Sequence, residues 1–282
     1  MKSESEHRQQ MVAVGERMYQ RGYVAATDGN ISVRLDGERM LITPSGCCLG
    51  EMRPEDMVIV DSRGRPAGAA YGSDDASRRS DDAARQPSSE LPMHLEVYGQ
   101  RPDVGAVIHA HPPLATAFTV AGISLAQCVI PEVVLTMGTI PTTQYATPST
   151  EKGREAVREL IRTHDALVLD RHGTLTVGLD LTSAYRKLEK VEHAAQVTLA
   201  ARQLGNIRTL PPEEVQRLEA MRSQLGLGEN VTTCSQCGTC GRENGGSGLD
   251  SSSAAAGEVD EGVVEVVTDE ILKVLGDLGV QW

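Results

Sequence analysis

Two histidines separated by a single residue, His109 and His111, follow an apolar run that two prolines terminate. Residues i and i+2 of a β-strand project from the same face, so both imidazoles are expected to reach one point. Pro112 and Pro113 stop the strand at once, so the pair is expected to face a cleft rather than the core. Two such imidazoles supply two-thirds of a three-histidine metal site that leaves one coordination position open. The alternative is a pair of strand-end histidines bonded to carbonyl groups.

A third histidine, His172, stands at the end of another predicted strand, the apolar run at residues 166–170. Gly173 follows it and would allow the backbone to approach closely. His172 is therefore the candidate third metal ligand. His94 and His193 fall inside predicted helices; we expect His94 to be structural and assign no role to His193.

Two turns and one helix start offer hydroxyl groups and unhindered backbone N–H groups, a combination that suits an anion. One turn precedes the strand that contains Ile31 and Val33, and the other follows the partner strand of the same hairpin. The helix start is a serine pair before Glu90, where free N–H groups and the helix dipole favour a phosphate. The alternatives are ordinary hairpin ends and a serine that only caps the helix. The candidate anion-binding residues are Thr27, Gly29, Asn30, Thr43, Ser45, Gly46, Ser88 and Ser89.

The elements that must position these residues follow from the apolar periodicity of the chain. Met11, Val14 and Met18 predict an amphipathic helix at residues 9–21. Further helices are predicted at residues 88–98, 114–120, 150–164 and 182–205. Strands are predicted at residues 31–34, 40–43, 57–61, 104–111 and 166–170, with further strand pieces at 133–135 and 140. Residues 66–86 have no periodicity and are expected to form a mobile surface loop.

Composition excludes several classes of function. The 282 residues, 40% of them apolar, suffice for one large domain or two modest ones. A membrane span and a secretory signal are not expected, since the chain has no apolar run of about eighteen residues. The net charge of −12, with one Phe and one Trp, argues against nucleic acid as a partner. Six cysteines without a signal sequence predict reduced thiols in the cytoplasm.

Five short segments, taken in their order along the chain, resemble the class II aldolase/adducin family. Within this family they most resemble the aldolases that cleave L-fuculose 1-phosphate. The resemblance extends over residues 9–226, and the order and separation of the segments carry it because none is specific alone. The segments are Asp28–Arg34, Thr43–Gly46, Ser88–Glu90, His109–His111 and His172–Gly173.

This resemblance implies an α/β fold: a three-layer α/β/α domain at residues 1–228 with a mostly antiparallel central sheet, assembled as a homotetramer. It implies one zinc ion per subunit, held by His109, His111 and His172, with Glu90 as the catalytic acid/base. It assigns phosphate binding to the two turns and the serine pair. The implied phosphate-binding residues are Gly29, Asn30, Thr43, Ser45, Gly46, Ser88 and Ser89.

The implied reaction is the aldol cleavage of a deoxyhexulose 1-phosphate, L-fuculose or L-rhamnulose 1-phosphate, to dihydroxyacetone phosphate and lactaldehyde. Zinc would act as the Lewis acid and Glu90 would transfer the proton. Related members epimerise pentulose phosphates or dehydrate methylthioribulose phosphate on the same metal site, and adducin-like members are interaction proteins without the metal ligands. The aldolases carry a tyrosine for the aldehyde half in the segment that corresponds to residues 128–133, and this chain has none there. A second such tyrosine has no clear counterpart around residues 221–228.

The last part of the chain departs from the family. Residues 229–257 are rich in Gly and Ser and predict a flexible linker. Within it, Cys234, Cys237 and Cys240 have a spacing that suits a metal or an iron–sulfur cluster, but a fourth ligand is not evident nearby. Thiols without a metal are the interpretation that we favour.

Residues 258–282 predict an amphipathic helix. An apolar stripe is formed by Val263, Val267, Ile271, Leu275 and Leu278. Acidic residues occupy much of the other side, which disfavours an anionic membrane. The segment resembles the encapsulation helices that recruit enzymes into bacterial microcompartments, so a shell protein is the hypothetical partner and the lumen a hypothetical location. The alternative is a helix that docks on its own tetramer.

Overall fold

The computed structural model describes residues 2–67 and 86–227. Most of the expected loop at residues 66–86 lies outside these ranges. So do the predicted linker with Cys234, Cys237 and Cys240 and the predicted helix at residues 258–282.

Six strands in the described part form one sheet in the order β3-β2-β1-β4-β6-β5, in which every neighbouring pair is antiparallel. The expected antiparallel sheet is therefore confirmed. β1 and β4 lie at the centre, in a register that pairs Asn30 with His109 and Ile31 with Ile108. The strands are β1 (Asn30–Arg34), β2 (Arg39–Ile42), β3 (Val58–Asp61), β4 (Ala106–Ala110), β5 (Ala166–Leu169) and β6 (Gly173–Gly178).

Helices cover both faces of this sheet, as the three-layer expectation requires. α1 and α6 share one buried apolar cluster with Ile31 and Ile108, and α2 and α5 share another with Val107 and Val177. Ile31 and Ile108 are both fully buried, and each contributes roughly 1.5–3 kcal/mol. The helices are α1 (Glu4–Gln20), α2 (Leu91–Gln100), α3 (Pro113–Val120), α4 (Pro131–Met137), α5 (Glu151–Ile161), α6 (Leu181–Leu204) and α7 (Pro212–Gln224).

The strand pieces predicted at residues 133–135 and 140 were wrong. Residues Pro131–Met137 form α4, with Pro131 in its first turn and Gly138 after its end at φ 71°. The buried residues Val133, Val134 and Met137 recur at helical rather than alternating spacing. The β-branched residues Val133 and Val134 suggested a strand. Pro131 at the start and Gly138 after the end instead favour a short helix.

One helix start also differs from expectation, and one helix was not predicted. α6 begins at Leu181 because Asp180 caps it, its Oδ1 accepting from the Ser183 N–H at 2.7 Å, so Thr182 and Ser183 lie inside the helix. α7 was not predicted; it packs on α4 through Val215. Among the described residues, no helix is long and apolar enough to cross a membrane.

Candidate metal centre and active site

β4 carries the first histidine of the site. His109 is fully buried, and its Nδ1 donates a hydrogen bond to Thr174 O at 2.9 Å, because a carbonyl oxygen can only accept. In the neutral ring this bond fixes the proton on Nδ1 and leaves the Nε2 lone pair for a metal ion. Alternation along β4 sends His109 to the same face as Val107, toward α2.

The other two predicted ligands meet His109 at the end of β4. The centroid of the His109 ring lies 4.8 Å from that of His111 and 4.6 Å from that of His172, and the last two are 5.1 Å apart. The Nε2 atoms of His109 and His111 are 2.9 Å apart. One nitrogen from each ring lies within 4.8 Å of the other two.

A tight turn between β5 and β6 places His172 in this group. Its N–H donates to Leu169 O at 3.0 Å, and Gly173 follows with φ 157°. A Cβ at Gly173 would lie 2.2 Å from Ala110 O and 2.8 Å from His111 Cδ2. Glycine at this position therefore allows β6 to start directly beside the end of β4, the close approach that the sequence suggested.

The charge state of the group suits a cation. Burial lowers the pKa of His109 well below its usual range, and repulsion from His111 and His172 lowers it further. Burial also lowers the pKa of His172, while the charge of Glu90 acts in the opposite direction. Neutral imidazoles present lone pairs, so these donors fit a divalent transition metal such as zinc.

The Glu90 carboxylate lies against the histidines. Its Oε2 is 3.2 Å from His109 Nε2 and its Oε1 is 3.3 Å from His172 Nε2, with the side chain 12% exposed. Asn30 Nδ2 donates to Oε2 at 2.8 Å. Glu90 immediately precedes α2, so the start of that helix sets the position of its carboxylate. The arrangement places three imidazole rings and one carboxylate together.

His94 lies in α2 behind Glu90 and outside the histidine group. Its Nε2 is 2.5 Å from Asn30 Oδ1 and its Nδ1 is 2.6 Å from Ser32 Oγ. Burial lowers the pKa of His94 to about 3, with a smaller contribution from repulsion by His109. With both ring nitrogens in hydrogen bonds, His94 has the structural role that the sequence suggested.

The predicted anion-binding turns lie next to each other. Thr43 N–H donates to Ile31 O at 3.0 Å, and Ser88 N–H donates to Thr43 O at 3.1 Å. Ser45 N–H donates to Gln86 O at 2.9 Å. These bonds join the turn after β2 to the serine pair before α2.

The other residues of the anion-binding set differ in their surroundings. Gly29 has φ 78°, and a Cβ there would lie 2.6 Å from Val24 Cγ1, so the turn before β1 requires glycine. Ser89 and Gly46 are exposed, whereas Asn30 is buried with both side-chain polar atoms in hydrogen bonds.

A cavity that the sequence did not predict lies beside Glu90 and His172. Its volume is about 460 Å³ including its open mouth, and the segment before α5 and the start of that helix form its other wall. No short motif marks these residues, because they come from separate segments that only the fold brings together. Polar residues that line it are Thr143, Gln144, Ser149, Thr150, Arg154 and Asp170.

Asp28 was also missed as a neighbour of the histidines. Its Oδ2 lies 3.5 Å from His111 Nδ1, so the carboxylate faces the ring nitrogen opposite the one that points toward His109. A carboxylate in this position favours a proton on His111 Nδ1 and thus a free Nε2 lone pair. The sequence feature that could have identified Asp28 is its position immediately before Gly29, in the segment Asp28–Arg34.

The sequence was compared with models of known protein families. Residues 9–199 match the model described as Class II Aldolase and Adducin N-terminal domain, which is more than half of the chain. The chain belongs to the class II aldolase and adducin family.

Relatives and solved structures carry more specific names. An L-fuculose phosphate aldolase of Methanococcus maripaludis is 32% identical over 188 residues, covering 67% of this chain and 93% of the relative. A 3-oxo-tetronate 4-phosphate decarboxylase of Pectobacterium atrosepticum is 30% identical over 224 residues, covering 77% of this chain and 94% of the relative. A solved structure of L-fuculose 1-phosphate aldolase is 28% identical with a TM-score of 0.68, covering 80% of this chain and 98% of that one.

Membership in this family confirms the expected fold and the expected class of enzyme. The chain has the fold of this family, and it is an enzyme of the metal-dependent lyase type. Small sugar phosphates are the substrates of this family, and its aldolases are typically metal-dependent. The three histidines form the described group of side chains that could hold such an ion.

Proposed function

We propose that this enzyme uses zinc to cleave a deoxyhexulose 1-phosphate, L-fuculose or L-rhamnulose 1-phosphate, into dihydroxyacetone phosphate and lactaldehyde. The observation that carries the proposal is the position of the Glu90 carboxylate, 3.2 Å from His109 Nε2 and 3.3 Å from His172 Nε2. A general acid/base must lie within reach of the reacting carbon, and an ion held by the histidines would fix the substrate beside Glu90.

His109, His111 and His172 would hold the zinc ion. When bound, the ion supplies Lewis-acid stabilisation of negative charge on the substrate oxygens. Glu90 then holds or transfers the proton of the carbon that loses its bond to the aldehyde. Because its side chain is only 12% exposed, bulk water competes little for that proton.

The phosphate group would bind at the junction of the two turns and the serine pair. Ser45, Gly46 and Ser89 are exposed there, whereas the backbone N–H groups of Thr43, Ser45 and Ser88 already donate to carbonyl oxygens. Exposed hydroxyls and a glycine amide can bind an anion without a charged side chain. Holding the phosphate end aligns the C3–C4 bond of the sugar with Glu90, and this alignment lowers the entropic part of the barrier.

A second candidate is decarboxylation of a 3-oxo-tetronate 4-phosphate, the reaction named for the Pectobacterium atrosepticum relative. In that substrate the carboxylate is β to the ketone, so loss of CO₂ leaves the same dihydroxyacetone phosphate enediolate as aldol cleavage. Decarboxylation releases no aldehyde, so it needs no group that takes the proton from the hydroxyl of the aldehyde half. The absence of a tyrosine at residues 128–133, where the aldolases of this family have one for the aldehyde half, favours this candidate.

The decisive experiment supplies the zinc-loaded full chain with three substrates and measures dihydroxyacetone phosphate in a coupled assay. The substrates are L-fuculose 1-phosphate, L-rhamnulose 1-phosphate and 3-oxo-tetronate 4-phosphate; released CO₂ distinguishes the third. Glu90→Gln should lower kcat by roughly 10²–10⁴-fold, the range for general acid/base catalysis. Glu16→Gln, at an exposed position of α1, is the matched control and should retain full activity.

Two results would overturn the proposal. The first is a zinc-loaded chain that forms dihydroxyacetone phosphate from none of the three substrates but epimerises a pentulose phosphate or dehydrates methylthioribulose phosphate. The second is a purified chain that binds no stoichiometric zinc, as an adducin-like interaction protein would.

We also propose that the enzyme is a homotetramer and that residues 258–282 bind a microcompartment shell protein. The support is the family resemblance and the apolar stripe of Val263, Val267, Ile271, Leu275 and Leu278. Deleting residues 258–282 should leave substrate cleavage unchanged and abolish co-purification with shell proteins. Loss of cleavage in the deletion variant would contradict this assignment, and the mass of the native particle tests the tetramer.

A further inference from the structure

We propose that Thr119, near the end of α3, is a positioning residue for the metal ligand His172. Its hydroxyl oxygen accepts a hydrogen bond from the N–H of Arg171 at 2.9 Å, and this bond holds the turn that directs His172 toward the other ligands. The inference rests on the proposed function, in which His172 helps to hold the zinc ion.

The turn between β5 and β6 has an unusual backbone conformation. His172 N–H donates to Leu169 O at 3.0 Å, so these two residues are the last and the first of a β-turn. The third residue, Arg171, has φ 55°, whereas the second, Asp170, does not have a positive φ. Positive φ at the third position alone is the pattern of a type II turn, which usually has Gly or Asn there. An arginine therefore occupies a conformation that glycine normally adopts.

The hydrogen bond to Thr119 selects this conformation. Type I and type II turns differ in the orientation of their central peptide, and φ of the third residue is about −90° in type I and about +80° in type II. The central peptide of this turn contains the N–H of Arg171, which donates to Thr119 Oγ1. A type I turn would direct that N–H away from Thr119, so the bond stabilises the conformation with positive φ.

The Thr119 hydroxyl is arranged to accept this bond. Thr119 is 5% exposed, and its hydroxyl donates to Thr116 O at 2.7 Å. A hydroxyl has one hydrogen, so the oxygen lone pairs remain for the N–H of Arg171. Without this acceptor the Arg171 N–H would need another partner, and rotation of the central peptide is the change that allows it to find one.

α3 connects this turn to a second proposed ligand. The helix begins at Pro113, two residues after His111, and Thr119 lies in its last turn. One helix of eight residues thus links the segment that carries His111 to the turn that carries His172. Thr119 contacts backbone groups of Thr116 and Arg171, so it affects metal binding through the position of His172.

Rotation of the central peptide would change the direction in which the backbone enters His172. The centroid of the His172 ring lies 4.6 Å from that of His109, and His172 Nε2 lies 3.3 Å from Glu90 Oε1. Replacement of a residue that orients a metal ligand typically lowers metal affinity by roughly 10–100-fold. Loss of the Thr119 acceptor should therefore weaken metal binding while the rest of the fold is kept.

The test measures the zinc affinity of the full chain by competition with a chromogenic chelator. A second readout is the visible absorption of bound Co²⁺, which reports the coordination geometry. Thr119→Val keeps the shape of the side chain but removes the hydroxyl. It should raise the Kd for zinc by roughly 10–100-fold and change the Co²⁺ bands at saturation. Thr119→Ser keeps the hydroxyl, so both readouts should stay near their wild-type values.

Thr198→Val is the matched control. Thr198 is 4% exposed in α6, and its hydroxyl donates to Ala194 O at 2.7 Å, a bond within the helix like that of Thr119 to Thr116. The variant loses a buried helical hydroxyl but removes no acceptor from the turn between β5 and β6. Its zinc affinity and its Co²⁺ bands should equal those of the wild type.

Arg171 provides a test that does not require Thr119→Val to fold. Arg171 is exposed, so a change of its side chain leaves the core intact. Arg171→Val disfavours positive φ and should weaken zinc binding, as Thr119→Val does. Arg171→Gly removes the same side chain but permits positive φ, so it should bind zinc normally. The double variant Thr119→Val/Arg171→Gly should regain part of the affinity that Thr119→Val loses.

The failure of this inference and that of the proposed function are distinguishable. Wild-type zinc affinity in both Thr119→Val and Arg171→Val would overturn the positioning role and leave the proposed function intact. Equal weakening by Thr119→Ser or by Thr198→Val would also overturn it, because the bond from Arg171 would then not be the cause. A wild-type chain that binds no zinc would overturn both.

Discussion

The Nε2 atoms of His109 and His111 lie 2.9 Å apart, with the other ring nitrogen of each directed away from the pair. His109 Nδ1 donates to Thr174 O, and His111 Nδ1 faces Asp28 Oδ2 at 3.5 Å. With the proton of each ring on Nδ1, the two Nε2 lone pairs would repel each other at this distance unless a cation lies between them. This relationship leads to the first prediction, on metal binding and stability.

Removal of metal by a chelator should abolish activity and lower the melting temperature, and added Zn²⁺ should restore both. A ligand at about 100 times its dissociation constant stabilises a fold by roughly 2.7 kcal/mol, which differential scanning calorimetry can resolve. His172→Ala should reduce zinc stoichiometry, measured by elemental analysis. His193→Ala, at an exposed position of α6, is the control and should bind zinc normally. Equal zinc content in the two variants would show that His172 is not a ligand.

Gly173 gives a second prediction, because a Cβ there would overlap Ala110 O at 2.2 Å and His111 Cδ2 at 2.8 Å. Gly173→Ala should separate β6 from the end of β4 and weaken zinc binding by at least tenfold, measured by competition with a chromogenic chelator. Gly122→Ala is the matched control. Gly122 has φ 69° but nothing within 4 Å of its Cβ position, so it carries the backbone strain without the overlap. Similar zinc affinities in both variants would contradict the overlap argument.

The sequence predicted the parts of this site that local pattern determines. Alternation and the two prolines located His109 and His111 at a strand end, and Gly173 marked the close approach at His172. The hydrogen bonds of Asn30 were not predictable, because they depend on the register of β1 against β4 and on the rotation of α2. The cavity wall near Arg154 was not predictable either, because segments that are far apart in the sequence form it. The strand predicted at residues 133–135 failed because β-branched residues suggest a strand even inside a short helix.

Glu192 gives a third prediction through its contact with the helix that follows His111. Its Oε1 and Oε2 accept from the N–H groups of Leu114 and Ala115, each at 2.9 Å. The side chain is buried at the start of α3, where a negative charge is favourable. Glu192→Gln should lower the free energy of unfolding by roughly 1–3 kcal/mol in urea titration, since one buried N–H loses its acceptor.

Glu189→Gln is the control for Glu192, since both lie on α6. Glu189 pairs with Arg21 at 3.1 Å, and the Arg21 side chain is 58% exposed. Exposed pairs contribute about 0–1 kcal/mol, so this variant should be nearly as stable as wild type. Equal losses in the two variants would rule out a capping role for Glu192.

The fourth prediction concerns acid stability and the buried carboxylate of Asp165. Asp165 Oδ2 lies 2.7 Å from Lys187 Nζ, and its Oδ1 lies 3.0 Å from Arg101 Nη2. Burial raises the pKa of Asp165, but the positive charges of Lys187 and Arg101 lower it by more. The pKa therefore lies below its ordinary value of 3.8. A carboxyl whose folded pKa is depressed stabilises the fold above its unfolded pKa, and this contribution is lost as pH falls through the folded value.

Asp165→Asn should therefore be less stable than wild type at pH 7 by about 3–5 kcal/mol, because it leaves two partly buried cations without a counter-charge. Below about pH 4 this carboxyl becomes protonated in the unfolded chain, so the difference in stability between the two proteins should begin to shrink. Urea unfolding of metal-free protein at pH 7, 5 and 3.5 measures this convergence. Asp103→Asn is the control: Asp103 pairs with the same Arg101 at 2.8 Å but is 45% exposed, so its loss should be smaller at every pH. A difference between Asp165→Asn and wild type that stays constant from pH 7 to 3.5 would mean that packing, rather than charge, makes Asp165 important.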